Sequence, residues 1–99
     1  MIKVIVGYKV KFGENMASIV LKLRTNAMTY QGFVSSEHLM NEEDSSIIAV
    51  VESWNTVEDW REWEKSGIRQ AILREAKPLL AEELRVTIYR VMHTVRWVG

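Results

Sequence analysis

A chain of 99 residues and 11.5 kDa suffices for one hydrophobic core and excludes a second domain, and 47% apolar residues with a single proline exclude a disordered polymer. Thirteen Lys/Arg balance thirteen Asp/Glu, which excludes the basic surplus a DNA or RNA partner requires. The absence of cysteine excludes disulfides, Cys-ligated metals and a thiol nucleophile, and with no aliphatic run longer than Ile47 to Val51 and no signal-peptide pattern, a cytoplasmic protein without a membrane partner is expected.

Ile2, Val4, Val6, Tyr8, Val10 and Phe12 alternate with Lys3, Gly7, Lys9 and Lys11, the period of a strand with one apolar face. Gly13 ends it. Met16, Ile19, Val20, Leu23 and Ala27 then recur at helical spacing and place one apolar stripe on a helix of roughly four turns. Gly32 closes the next connection. Phe33 to Met40 and the β-branched Ile47 to Trp54 read as strands, and the polar stretch Asn41 to Ser46 between them makes a hairpin. Asn55 with Glu58 three residues later predicts a capping-box variant at the start of a second helix. Val57, Trp60 and Trp63 lie on one side of that helix. Gly67 marks a kink or restart, after which Ile68, Ala71 and Ile72 continue the stripe until Pro78 breaks it. Leu84 to about Trp97 reads as a long last strand.

The order β-α-β-β-α-β predicts an α+β fold over residues 1–99, a ferredoxin-like two-layer sandwich with both helices on one face of an antiparallel sheet. The third strand is apolar on both sides, Ile47, Ala49 and Val51 opposing Ile48, Val50 and Trp54. Two helices cover one face only, so the other face predicts a homodimer burying on the order of 800 Å² per partner. The overlong last strand, with Val95 and Trp97 near its end, also calls for a partner outside its own sheet. Charge is segregated: nine carboxylates and only Arg61 lie between Glu37 and Glu64, flanked by basic blocks. Pairing across the surface accounts for this pattern, with an acidic docking surface as the alternative.

Several side chains can carry chemistry. Trp60 and Trp63, three apart on a helix, either pack the core or line a flat apolar slot for a small aromatic molecule with an indole N–H facing a carbonyl. Tyr8, on the apolar face of the first strand, either packs or donates to an oxyanion. His38 and His93 are the side chains with ordinary pKa values near neutrality, and each is a general base or a surface residue. Arg69 either stabilises an enolate or carboxylate, or pairs with Glu62 or Glu64 on the helix surface. No phosphate loop, dinucleotide fingerprint, zinc-protease motif or nucleophile elbow occurs, and no metal ligands are grouped.

Gly32-Phe-Val-Ser-Ser-Glu, the acidic turn, Glu52-Ser-Trp54 running on through Trp60 and Trp63 to Ser66, and Arg69 together resemble the antibiotic biosynthesis monooxygenase (ABM) domain family over nearly the whole chain. The resemblance implies the dimeric α+β barrel. It matches Trp63 to the family's pocket tryptophan and favours His38, because the second strand borders that pocket. In the family's haem-degrading branch an asparagine, a tryptophan and a histidine occupy positions that here look like Val6, Trp63 and Leu73, so haem degradation by that route is not expected and Val6 becomes a pocket-wall residue. The function implied is a cofactor-independent monooxygenase acting on a phenol, quinol or anthrone, with His38 and Tyr8 catalytic and Trp63, Trp60, Arg69 and Val6 binding the substrate. A non-catalytic module of the same fold that binds a small apolar ligand is the alternative, and haem binding without degradation a third.

Overall fold

Alternation in the first strand and helical spacing in the next segment are reproduced in the computed structural model, which describes residues 1–98. The elements are β1 (Ile2–Lys9), α1 (Ala17–Ala27), β2 (Phe33–Met40), β3 (Ile47–Trp54), α2 (Val57–Glu64), α3 (Gly67–Ala76) and β4 (Arg85–Arg90), with a 3₁₀ turn at Lys77–Leu79 before β4. The strands form one sheet in the order β2-β3-β1-β4, and every neighbouring pair is antiparallel. This is the ferredoxin-like α+β order, the second helix being split in two.

The core lies between the helices and the face of the sheet carrying Val4, Val6, Tyr8, Val50 and Trp54. Ile19, Val20, Leu23 and Ala27 of α1, Trp60 and Trp63 of α2, and Ile72 and Ala76 of α3 close over it. The opposite face carries Ile5, Gly7, Ala49 and Val51 in its centre, with Leu39 and Tyr89 on the flanking strands. It has no covering layer, and Ile47, Leu39 and Tyr89 are 40%, 48% and 56% exposed.

Four details differ from the sequence-based expectations. β1 ends at Lys9; Val10 makes only an isolated bridge with Leu80, and Phe12 is fully exposed. Thr56, not Asn55, caps α2: its side chain accepts from the Asp59 N–H at 3.1 Å, while the Asn55 N–H donates to the Gly32 carbonyl at 2.8 Å. Asn55 is thus consumed in tying the helix entrance to the end of the preceding connection. Gly32 itself has φ +87°, and a Cβ there would collide with the Asp59 carboxylate. In α3 the buried residues are Arg69, Ile72 and Ala76, whereas Ile68 is exposed. The helix starts anew at Ser66, whose side chain accepts from the Arg69 N–H at 3.1 Å, so the phase of α2 does not carry over.

The fourth difference is β4, which stops at Arg90 rather than near Trp97. Arg90 lies opposite Ile2, the first residue of β1, so beyond it the sheet offers no neighbour to pair with. Val91 still donates to the Met1 carbonyl at 3.0 Å, and Met92, Val95, Trp97 and Val98 are then more than four-fifths exposed.

Segregated charge is only partly neutralised by pairing. Among the described residues Lys9–Asp44 and Lys65–Glu62 join basic and acidic blocks, at 3.0 and 3.1 Å. Arg61 pairs with Glu64 inside the acidic block, and Lys22 with Glu75 outside it. All four involve surface side chains, so they add little to stability.

Candidate functional site

Val6 and Tyr8 on β1 point to the helix side of the sheet by strand parity, beside Val50 and Glu52 on β3 and Ser36 and His38 on β2, which lie in register with them. Over these side chains lie Val20, Leu23 and Arg24 of α1, Trp60 and Trp63 of α2, and Arg69 of α3. Together they line one narrow cleft with room for about 10 Å³, roughly a single water. All six residues picked from the sequence, His38, Tyr8, Trp60, Trp63, Arg69 and Val6, stand on its walls. His93 lies on the exposed segment after β4, away from it.

The tryptophans form the floor. Trp60 and Trp63 are essentially fully buried, Trp60 meeting Trp54 edge-on at 6.1 Å between ring centroids and Trp63 meeting Tyr30 at 5.1 Å. Such T-shaped pairs align ring edges with ring faces and hold the indoles rigidly. Of the two sequence-based readings of Arg69, the surface pair with Glu62 or Glu64 does not form: the residue is 5% exposed. Its guanidinium sits 5.1 Å from the Trp60 ring centroid, and Nη1 donates to the backbone carbonyl of Glu64 at 3.4 Å. Those two carboxylates pair with Lys65 and Arg61. An arginine can be buried here because the aromatic face and a carbonyl receive its charge.

Glu52 was not anticipated as a site residue. It is buried at 5% exposure, and its Oε1 accepts from Trp54 Nε1 at 3.1 Å. The pKa of this carboxyl is raised by burial, which outweighs the lowering by the Trp54 N–H and by Arg69. The signal was available: in a strand, Glu52 shares the parity of Val50 and Trp54 and must face inward with them. Arg24 and Ser36 were also missed. Arg24 follows the buried Leu23, and Ser36 lies opposite Glu52 in the β2–β3 register.

The protonation states follow from burial and neighbouring charge. The Tyr8 phenol is pushed up to about 12 by burial, with Arg69 opposing and Glu52 assisting, so at neutral pH it remains a hydrogen-bond donor. His38, which remains largely solvent-exposed, has its pKa lowered by partial desolvation and by Arg24, which favours the neutral imidazole. The cleft therefore combines a free-base imidazole at an open side, a phenol and two guanidinium groups within, and indoles beneath. No group of three His, Cys, Asp or Glu side chains that could hold a metal ion occurs among the described residues. No helix among them is long and apolar enough to cross a membrane.

No protein-family model matches the chain, and no curated protein matches its sequence. Solved structures do resemble it. A conserved protein from Methanosarcina mazei superposes with TM-score 0.83 over 90% of either chain at 19% identity. A candidate antibiotic biosynthesis monooxygenase from Nitrosomonas europaea gives TM-score 0.83 over 94% of this chain and 100% of the other at 17% identity. SnoaB, a cofactor-independent oxygenase from Streptomyces nogalater, gives TM-score 0.82 over 95% of either chain at 11% identity. The chain has the fold of these monooxygenases, as the resemblance implies.

Proposed function

We propose that the chain is an oxygenase of the antibiotic biosynthesis monooxygenase type, acting as a homodimer and without a cofactor on a small electron-rich aromatic, a phenol, quinol or anthrone. The observation that carries this reading is the meeting of His38, Tyr8, Trp60, Trp63, Arg69 and Val6 on one cleft. The fold shared with SnoaB, a cofactor-independent oxygenase, adds support.

In this reading the neutral His38 imidazole removes a proton from the activated position of the substrate. The resulting carbanion gives an electron to dioxygen, and the radical pair joins as a peroxide on carbon. For an anthrone methylene, loss of water then leaves a carbonyl, so that CH₂ and O₂ become C=O and H₂O. Trp60 and Trp63 stack or edge the ring, Val6 limits its depth, and Tyr8 and Arg69 stabilise the oxygen on which charge develops. A ring is larger than the cleft as it stands, so binding moves side chains at its open side, where His38 is exposed.

The homodimer is supported by the apolar, uncovered sheet face and by the apolar segment after β4. The centre of that face is framed by polar contacts, Lys3 Nζ donating to Ser53 Oγ at 2.7 Å at one end and the Lys9–Asp44 pair at the other. An apolar centre within a polar rim is the usual anatomy of a subunit interface.

Oxygen uptake with a panel of hydroquinones and anthrones tests the reading. Turnover should exceed the buffer rate, and His38→Ala should lose on the order of 10²-fold, the lower range for a general base. Trp63→Ala should lower turnover as well. Binding of the panel without oxygen uptake would instead make the chain a non-catalytic ligand carrier. Sedimentation showing a single chain at micromolar concentration would remove the dimer.

A further inference from the structure

Among the described residues three buried side-chain polar atoms lack a hydrogen-bond partner: Arg24 Nε on α1, Ser36 Oγ on β2 and Trp60 Nε1 on α2. All three residues line the one cleft. An unpartnered buried polar atom costs about 1–3 kcal/mol, and native proteins keep few of them. Here three elements each contribute one residue carrying such an atom to the lining of the same cleft. The contrast with the neighbouring indole is direct, since Trp54 Nε1 has Glu52 as its acceptor while Trp60 Nε1 has nothing.

The chemistry of the three atoms is one-sided. The indole N–H and the guanidinium Nε–H donate only, and a serine hydroxyl is able to donate. What satisfies them must accept. Charge points the same way: the cleft carries two guanidinium groups, Arg24 and Arg69, against a single carboxyl, Glu52. Tyr8 and His38, the other titratable walls, add no negative charge in their phenol and imidazole forms.

We infer that the cleft binds its ligand as an oxyanion, a phenolate or enolate oxygen that accepts from Trp60 Nε1, Ser36 Oγ and Arg24 Nε. The aromatic or enolic nature of the ligand rests on the function proposed above, whereas the preference for an anionic oxygen rests on the donors alone. The site would favour the ionised form of a weakly acidic substrate, adding these three donors to Tyr8 and Arg69.

The test uses 4-nitrophenol, whose ionised form absorbs visible light, and 4-nitroanisole, the same ring with its oxygen methylated. The full chain is titrated with 4-nitrophenol at a pH close to that phenol's own pKa. Absorbance of the phenolate should rise on binding, and 4-nitroanisole should bind on the order of tenfold more weakly. Trp60→Phe removes one N–H while keeping an aromatic ring. Ser36→Ala, on an edge strand, keeps the measurement decisive if the first variant fails to fold. Each should weaken phenolate binding on the order of tenfold and 4-nitroanisole binding by less. A fall or no change in phenolate absorbance with the wild type, whether the probe binds neutral or a water keeps it out, overturns the inference, as does wild-type affinity in both variants. Phenolate binding with no oxygen uptake would sink the oxygenase alone. Oxygen uptake beside a probe bound neutral would sink the oxyanion site alone.

Discussion

β3 sends side chains alternately to two faces of opposite character. Toward the helices it presents Val50, Glu52 and Trp54, buried and in company with Arg69 and Tyr8. Toward the other side it presents Ile47, Ala49 and Val51, beside Ile5 and Tyr89, with nothing over them. The protein thus buries ionisable groups and leaves an apolar surface bare, the reverse of what folding alone would select. A buried charge that is matched by neighbours suggests a site, and a bare apolar sheet face suggests association.

Truncation on the two faces gives the largest effect. Trp54→Ala should lose about 3–5 kcal/mol in denaturant unfolding, whereas Tyr89→Ala should change stability by under about 0.5 kcal/mol at a dilution where the chain is single. A larger Tyr89→Ala loss that grows with protein concentration would mean that a second copy covers the bare face, and the contrast would then hold only within one protomer. The covered face also has a signature in alkali. Because the folded Tyr8 phenol ionises at about 12 and an unfolded tyrosine near 10, stability is full below pH 10 and falls by about 2–3 kcal/mol as pH rises through 12. Tyr8→Phe should remove that part of the slope in pH-dependent melting.

Glu52 should give a smaller effect. Its folded pKa is raised, so the fold favours the protonated form, and stability falls as pH climbs from the ordinary carboxylate value through the folded one. Glu52→Gln keeps an oxygen for Trp54 Nε1 without the charge. It should match the wild type in strong acid and exceed it in melting temperature near neutrality. Equal melting temperatures at neutrality would show that Arg69 fully compensates the buried carboxylate.

The fold was legible because alternation and helical spacing are strong in β1, α1 and β3, and because the core on one side needs them. Element ends were less legible. Alternation continues through Val10 and Phe12, yet the strand stops where its ladder loses partners, and β4 stops for the same reason; neither fact resides in the local pattern. The site was legible in its aromatic and histidine residues, which stand out by type. For Arg69 the sequence leaves both a substrate role and a surface pair open, because the restart at Ser66, which sets the phase of α3, is not fixed by the local pattern alone. Glu52 went unnoticed because a carboxylate in a strand suggests solvent, although its parity with Val50 and Trp54 assigns it to the interior.

The new start at Ser66 has a consequence for how a cation comes to lie on an indole. Along one unbroken helix at 3.6 residues per turn, a residue nine positions after Trp60 would point about 180° away from it. Only by ending one helix and beginning another does the backbone turn Arg69 back above that ring. Variants that weld the two helices into a single rod would swing the guanidinium out to water and leave a vacancy over Trp60. This joint therefore acts as a steering element, its angle held by the Ser66 cap.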